Sequence, residues 1–216
     1  MTKTANNITE MVFILDKSGS MSGLEADTIG GFNSMIAKQK KEDGKAFVST
    51  VLFSDRSTVI HDRVDISEIP ALTENDYLPN GCTALLDAIG DAVKHIRNIH
   101  KYARPEDVPA HTIFVITTDG MENASHKYDY DKIKKMIGKR KEKDGWEFMF
   151  IGANIDAISV AAKVGISADR AANYRADSRG TKKVFETLCE PLMAMRCGAS
   201  VDRSWAEDIE ADMNDR

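Results

Sequence analysis

The chain has 216 residues, of which 42% are hydrophobic and 29% are charged, a composition typical of one globular domain with a sizeable core. Its formal net charge of -5 argues against a nucleic-acid-binding surface. Residues 1–10 lack an apolar signal region, and no apolar run approaches the roughly 20 residues that cross a bilayer. We therefore expect a cytoplasmic protein with neither nucleic acid nor membrane among its partners.

The predicted elements alternate between strands and helices along the chain. Apolar runs bounded by turn residues predict strands, and apolar residues at a spacing of three or four predict helices. The predicted strands cover residues 10–15, 46–53, 58–66, 112–117, 146–151 and 171–174. The predicted helices cover residues 22–41, 84–96, 129–143, 155–164 and 181–195.

This alternation predicts an α/β fold, a Rossmann-like three-layer sandwich with a mainly parallel central sheet and helices on both faces. The second and third strands form a hairpin that supplies one antiparallel edge strand. We expect residues 1–9 to be an N-terminal arm, residues 10–199 to be the domain, and residues 200–216 to be an acidic C-terminal tail. The tail surrounds a single tryptophan, and the sequence leaves open whether it is a short helix or a disordered segment.

The loop after the first strand carries the first candidate site. The apolar run ends at Asp16, and Ser18 and Ser20 follow with Gly19 between them. Gly19 lets the loop turn tightly enough to bring both hydroxyls to one point. One carboxylate and two hydroxyls are hard oxygen donors, which suit Mg²⁺, Mn²⁺ or Ca²⁺ and not a soft metal.

Two further loops are expected at the same edge of the sheet. Gly81-Cys82-Thr83 precedes a helix, and Thr118-Asp119-Gly120 follows the most strongly β-like run of the chain. Right-handed crossovers between parallel strands bring the loops after residues 15, 82 and 117 to one edge. In open α/β sheets, ligands bind outside the carboxyl ends of the strands.

These three loops together resemble the metal-ion-dependent adhesion site (MIDAS) of the von Willebrand factor A domain family. The resemblance implies that Ser18 and Ser20 bind a metal directly and that Asp16 acts mostly through water while holding the serines. It also implies that Thr83 and Asp119 bind directly or through water. It covers roughly residues 8–195, and it implies a stand-alone intracellular member of the family, of bacterial or phage type.

Two positions depart from the family pattern without removing a ligand. Cys82 stands where the family often has a second glycine, and Lys17 places a positive charge beside the site. The three cysteines, Cys82, Cys189 and Cys197, form no Cys-x-x-Cys pair, which argues against a zinc cluster and favours a reducing compartment.

The charge of the implied site predicts binding and not catalysis. Two carboxylates only neutralise a divalent cation, so the ion keeps its attraction for a further anion. Mg²⁺ (or Mn²⁺ or Ca²⁺) would keep an exchangeable position that an aspartate or glutamate of a protein partner could take. The acidic tail suggests self-association as well, in which Glu207, Asp208 or Glu210 of a second copy fills that position.

The same residues allow alternative interpretations as an enzyme, a structural subunit or a plain turn. A haloacid-dehalogenase-like phosphatase also has an acid after its first strand, but it needs a second acid two residues later, where this chain has Ser18. A P-loop enzyme is excluded because its Gly-x-x-x-x-Gly-Lys-[Ser/Thr] run is absent. A structural subunit stapled by the metal remains open, as does a tight turn with helix caps and no metal. The basic run from Lys132 to Lys143 is interpreted as a solvated helix face because the whole chain is acidic.

Overall fold

The computed structural model describes residues 7–215, so residues 1–6 of the predicted arm lie outside the described residues. Its central sheet has the strand order β3-β2-β1-β4-β5-β6. The strands are β1 (Ile8–Asp16), β2 (Lys45–Phe53), β3 (Ser57–Asp65), β4 (His111–Thr118), β5 (Glu147–Ala153) and β6 (Ala171–Tyr174). Each neighbouring pair is parallel except the β2–β3 hairpin, which is antiparallel. The predicted sheet, with its one antiparallel edge strand, is therefore confirmed.

Helices cover both faces of the sheet. They are α1 (Glu25–Gln39), α2 (Leu85–Tyr102), α3 (Tyr130–Asp144), α4 (Ala157–Val164), α5 (Ser178–Thr187), α6 (Cys189–Arg196) and α7 (Glu207–Asn214). Two hydrophobic clusters form the core, one beneath α1, α5, α6 and α7 and the other beneath α2, α3 and α4. Along β1, Phe13 belongs to the first cluster and Ile14 to the second, as the alternation of side chains in a strand requires. This arrangement confirms the three-layer sandwich.

The central strand explains why the first loop has a fixed position. All residues of β1 after Ile8 are buried, and the run from Met11 to Leu15 has no exposed surface. Asp16 is the last residue of this strand and pairs with Phe53 of β2, so its backbone is held by the sheet. Within residues 7–215, no helix is long and apolar enough to cross a membrane.

The predicted helix over residues 181–195 is two helices in the structure. The first, α5, ends at Thr187, and α6 begins at Cys189. Pro191 has no N–H group, so it cannot donate the helical hydrogen bond to the carbonyl of Thr187 four residues earlier. The break therefore falls where that bond is missing.

The segment after residue 199 forms a short helical turn followed by α7. Trp205, Ala206 and Ile209 are buried in the first hydrophobic cluster. The indole N–H of Trp205 donates to the carbonyl of Asp169 at 2.8 Å. Of the two states left open for this segment, the structure has the helix. The division of the chain into a domain and a tail at residue 199 stays a prediction.

Candidate metal centre

The carboxyl ends of two adjacent strands carry the acids of the candidate site. Leu15 of β1 is level with Thr117 of β4 in the parallel register. Asp16 therefore stands beside Thr118, whose hydroxyl donates to Asp16 Oδ2 at 2.6 Å. Asp119 follows directly, so both acids lie at one edge of the sheet.

Both carboxylate oxygens of Asp16 are already bonded within the chain. Oδ1 accepts the backbone N–H of Ser18 at 2.7 Å, and Oδ2 accepts the Thr118 hydroxyl. The Tyr77 hydroxyl donates to the backbone carbonyl of Asp16. Only 1% of Asp16 is exposed, and this burial raises its pKa although the hydrogen bonds from Ser18 and Thr118 lower it. Asp16 therefore anchors the loop that carries Ser18 and Ser20, called the serine loop below, to β4.

The hydroxyl groups converge on the second acid. The Oγ atoms of Ser18 and Ser20 are 3.1 Å apart, and the Ser20 hydroxyl donates to Asp119 Oδ1 at 2.6 Å. A Cβ atom placed on Gly120 would lie 3.2 Å from Thr83 Oγ1 and 3.5 Å from Ser20 Oγ. Thr83 and Ser20 thus approach the same glycine. The structure brings all five predicted residues to one place, with Ser20 exposed to solvent and Ser18, Thr83 and both acids buried.

One carboxylate oxygen in this cluster has no partner. Asp119 Oδ2 is buried and accepts no hydrogen bond from any residue between 7 and 215. Burial raises the pKa of Asp119, and the negative charge of Asp16 raises it further. An unsatisfied buried carboxylate oxygen is costly unless a cation or a donor meets it.

The donor set fits a hard divalent cation. Two carboxylates and three hydroxyls are oxygen ligands of the kind that Mg²⁺, Mn²⁺ or Ca²⁺ binds. No cluster of three or more histidine, cysteine, aspartate or glutamate side chains suited to a metal occurs in the described part of the chain.

Hydrogen bonds in both directions join the loop after β4 to the first turn of α2, and the sequence alone does not reveal them. Glu122 Oε2 accepts the backbone N–H of Leu86 at 2.8 Å in the first turn of α2, and Glu122 Oε1 accepts those of Ala124 and Ser125. In the other direction, Asp87 accepts three consecutive backbone N–H groups from residues 126–128. The loop after β4 and the start of α2 therefore hold each other. An acid near the start of a helix suggests that it accepts backbone N–H groups, but it does not identify them, because the partners lie 36–41 residues apart in the chain.

The Thr83 loop also contacts the serine loop. The backbone N–H of Gly19 donates to the carbonyl of Gly81 at 3.0 Å. Gly81 has a φ of +71°, and a Cβ atom there would overlap Asp55 Oδ2. Asp55 Oδ1 in turn accepts the N–H of Cys82 at 2.9 Å. Glycine is therefore favoured at position 81, because this φ is unfavourable for other residues and a side chain would displace the carboxylate that holds the loop.

No protein-family model matches this chain, and no curated protein matches it. Several solved structures, however, have a similar fold. The D319A mutant of the PilB minor pilin from Streptococcus sanguinis matches with a TM-score of 0.60 at 13% identity, over 89% of this chain and 62% of that one. Proximal thread matrix protein 1 (PTMP1) from the mussel byssus, in a structure with a zinc-occupied MIDAS motif, matches with a TM-score of 0.57 at 15% identity, over 88% and 47%.

A third similar structure is itself a von Willebrand factor type A protein. Von Willebrand factor type A from Catenulispora acidiphila matches with a TM-score of 0.57 at 16% identity, over 86% of this chain and 43% of that one. The chain thus spans less than two thirds of each of these three proteins. Together with the strand order and the two helical layers, these matches show that the chain has the von Willebrand factor type A fold.

Proposed function

We propose that this protein is a metal-dependent protein-binding module that engages an acidic residue of its partner at a MIDAS-type site. Ser18, Ser20, Thr83 and Asp119 would hold the ion, and Asp16 would orient the serine loop. The resident ion is Mg²⁺, with Mn²⁺ or Ca²⁺ as alternatives, and the protein acts in the cytoplasm. PTMP1, which shares the fold, has a zinc-occupied MIDAS motif, and this supports a divalent ion at the corresponding edge of the sheet.

The observation that carries the proposal is the orphaned Oδ2 atom of Asp119. It is buried, it has no hydrogen-bond donor among residues 7–215, and the hydroxyl-bearing Ser20 is bonded to the other oxygen of the same carboxylate. Folding leaves this charge uncompensated, which a structure tolerates at a site that a ligand completes. Once bound, the ion supplies a coordination position that a partner's carboxylate can take.

Because the three hydroxyl ligands are neutral, they leave the charge of the metal ion available to a partner's carboxylate. With two carboxylates against a divalent charge, the cluster is formally neutral, so nothing in it repels an approaching anion. Ser20 is exposed, which gives a partner access to the hydroxyl side of the cluster. Lys17, partly exposed beside the serine loop, adds a positive charge that favours an acidic partner.

Binding is favoured over phosphatase chemistry by the state of Asp16. A nucleophilic carboxylate needs an oxygen free to attack, whereas both Asp16 oxygens accept hydrogen bonds from the chain and the residue is 1% exposed. Ser18 also replaces the second acid that a haloacid-dehalogenase-like enzyme needs. We therefore propose that the protein is not an enzyme.

Calorimetric titration of Mg²⁺, Mn²⁺ and Ca²⁺ into chelator-treated protein tests the metal site directly. We expect saturable binding near one equivalent for the wild type and none for Asp16→Ala or Asp119→Ala. Asp43→Asn removes an exposed carboxylate from the loop between α1 and β2 and is the matched control. No binding to the wild type, or equal binding to all four proteins, would refute the site.

Partner binding is then tested with the immobilised protein in Mg²⁺ and in EDTA. A true partner is captured in Mg²⁺, released by EDTA and not captured by Asp119→Ala, and replacing one of its acidic residues abolishes the interaction. Capture that persists in EDTA would instead favour the structural subunit in which the metal is only a staple.

A further inference from the structure

A cationic pocket lies at the opposite edge of the sheet from the candidate metal centre. Its volume is about 540 Å³, which is within the range of small-molecule sites. It lies between the C-terminal halves of α2 and α3, next to the segments that lead into β4 and β5. The lining side chains used below are Arg97, Lys101, Lys139, Arg140, Lys143 and Trp146.

The charge of this pocket is opposite to that of the whole chain. Five cationic side chains and one carboxylate, that of Asp144, line it, whereas the chain carries a formal net charge of -5. Arg97 and Lys101 are four residues apart on α2, and Lys139 and Lys143 are four residues apart on α3. Like charges at this spacing share a helix face and destabilise the helix. The pocket therefore brings together two pairs of like charges, each of which destabilises its own helix.

Carboxylates of the chain compensate little of this charge. Arg140 pairs with Asp144 and lies over the ring of Trp146, with 5.9 Å from the guanidinium carbon to the ring centroid. Within the part of the chain that the structure describes, the other four cations form no ion pair with a carboxylate. The buried Arg140 is thus fixed in place. Lys101 donates to the Tyr102 hydroxyl at 3.2 Å, and within residues 7–215 no carboxylate pairs with it or with the other three cations in competition with a ligand.

Helix dipoles explain only part of this arrangement. Both helices end near the pocket, and cations are favourable in the last turn of a helix. That effect accounts for Lys101 and Lys143, but Arg97 and Lys139 lie a turn earlier. It also does not explain why the two cationic faces line one pocket. A ligand with several negative charges would relieve both repulsive pairs at once.

We propose that this pocket binds a small molecule with clustered phosphate groups. Arginine matches phosphate with paired N–H donors, and lysine acts as a mobile point charge, so the combination suits several adjacent phosphates. The proposal is independent of the metal site, because β4 separates the two places by eight residues, or about 26 Å of strand.

Titration of inorganic tripolyphosphate into metal-free protein tests the proposal. We expect saturable binding near one equivalent that weakens as salt is added. Lys139→Gln/Lys143→Gln should weaken it at least about tenfold, the loss expected when a charge-assisted hydrogen bond is removed. Lys41→Gln, at an exposed position after α1 in the opposite helical layer, is the control and should bind like the wild type.

Three results of this titration would overturn the proposal. They are no binding to the wild type, a loss of less than tenfold in the double variant, or an equal loss in Lys41→Gln. Orthophosphate at the same total phosphate concentration is the second arm. If it binds as tightly as tripolyphosphate, the pocket does not select clustered phosphates and the proposal is wrong.

Discussion

Thr83 and Asn123 are joined by two hydrogen bonds, although they lie on different loops. The backbone N–H of Thr83 donates to Asn123 Oδ1 at 2.9 Å, and the backbone N–H of Asn123 donates to the carbonyl of Thr83 at 3.1 Å. Asn123 is four residues after Asp119, so this pairing ties the loop of one proposed ligand to the loop of another. The distance between the two proposed ligands therefore depends on a residue that binds no metal itself.

Replacing Asn123 with alanine should weaken metal binding and leave the fold intact. The backbone bond survives, but Thr83 loses the side-chain acceptor that fixes its N–H group. Residues that orient metal ligands typically change affinity by about 10- to 100-fold, and we expect a loss near the lower end. Calorimetric titration of Mg²⁺ measures it, with Asn123→Asp, which keeps an acceptor oxygen, as the control. Equal affinities for Asn123→Ala and the wild type would contradict a positioning role.

Asp119→Asn should affect the metal-free and metal-loaded proteins in opposite directions. Burial and the charge of Asp16 raise the pKa of Asp119, so its ionised form is unfavourable in the folded protein. Removing the charge should therefore raise the unfolding free energy of the metal-free protein. It should also abolish the stabilisation that saturating Mg²⁺ gives the wild type. Urea unfolding with and without Mg²⁺ measures both effects, and a less stable metal-free variant would contradict the prediction.

Gly81→Ala should both destabilise the protein and weaken metal binding. The new Cβ would collide with the Asp55 carboxylate, and alanine is unfavourable at a φ of +71°. We expect a loss of about 1–3 kcal/mol of unfolding free energy. Gly30→Ala is the matched control, because a Cβ there, within α1, meets no atom within 4 Å and should stabilise the helix by up to about 1 kcal/mol. Thermal unfolding of both variants separates the effect of position 81 from that of glycine replacement in general.

The arrangement of the site was predictable where the signal is local. Asp16 and Asp119 each end an apolar run, and parallel strands place such ends at one edge, so the sequence alone brings the two acids together. The crossovers also place the loop of Thr83 at this edge, but its role as a ligand needed the resemblance, because a threonine before a helix is common and often serves only as a cap. The structure brings these residues together, and their binding of a metal stays a prediction.

Contacts between distant loops could not be predicted in the same way. Nothing around Glu122 indicates that its carboxylate accepts an N–H group from the first turn of α2. The cationic pocket also forms only when α2 and α3 pack, and the basic run of α3 on its own indicates no more than a solvated face. The break between α5 and α6 is different. Pro191 is a visible signal of it in the sequence, but the apolar residues on both sides keep a helical spacing and so predict one continuous helix.

Asp87 should make stability depend on pH at the acid end. Burial acts to raise the pKa of its carboxyl group, but three backbone N–H groups of residues 126–128 lower it below the usual value of 3.8. A lowered pKa means that the stabilisation is present above the unfolded value and is lost as the pH falls through the folded value. Asp87→Ala should therefore cost about 2 kcal/mol at pH 7 and progressively less below pH 3.8.

Urea unfolding of wild type and Asp87→Ala at several pH values measures this difference. Asp62→Ala is a useful comparison, because its exposed carboxylate pairs with His95 at 2.8 Å and exposed ion pairs contribute little. A cost for Asp87→Ala that stays constant down to pH 2 would show that the carboxylate charge does not hold the loop.

The C-terminal segment is part of the core, which limits how its acidic residues can be studied. Trp205 and Ile209 lie in the first hydrophobic cluster, and truncating a buried tryptophan alone costs about 3–5 kcal/mol. Loss of residues 201–216 would therefore change stability and surface charge at once. A point substitution is needed to test self-association through this segment.

Self-association through the acidic segment depends most on Glu207. Asp208 pairs with Lys183 at 3.1 Å and Glu210 pairs with Arg203, whereas Glu207 forms no ion pair within the described range. If its carboxylate fills the open position of a second copy, light scattering should show a Mg²⁺-dependent dimer that EDTA and Glu207→Gln both abolish. Glu142→Gln, an exposed glutamate on α3, should leave that dimer unchanged. A monomer in saturating Mg²⁺ would contradict self-association through the acidic segment, and a dimer that survives Glu207→Gln would show that Glu207 is not the residue that forms it.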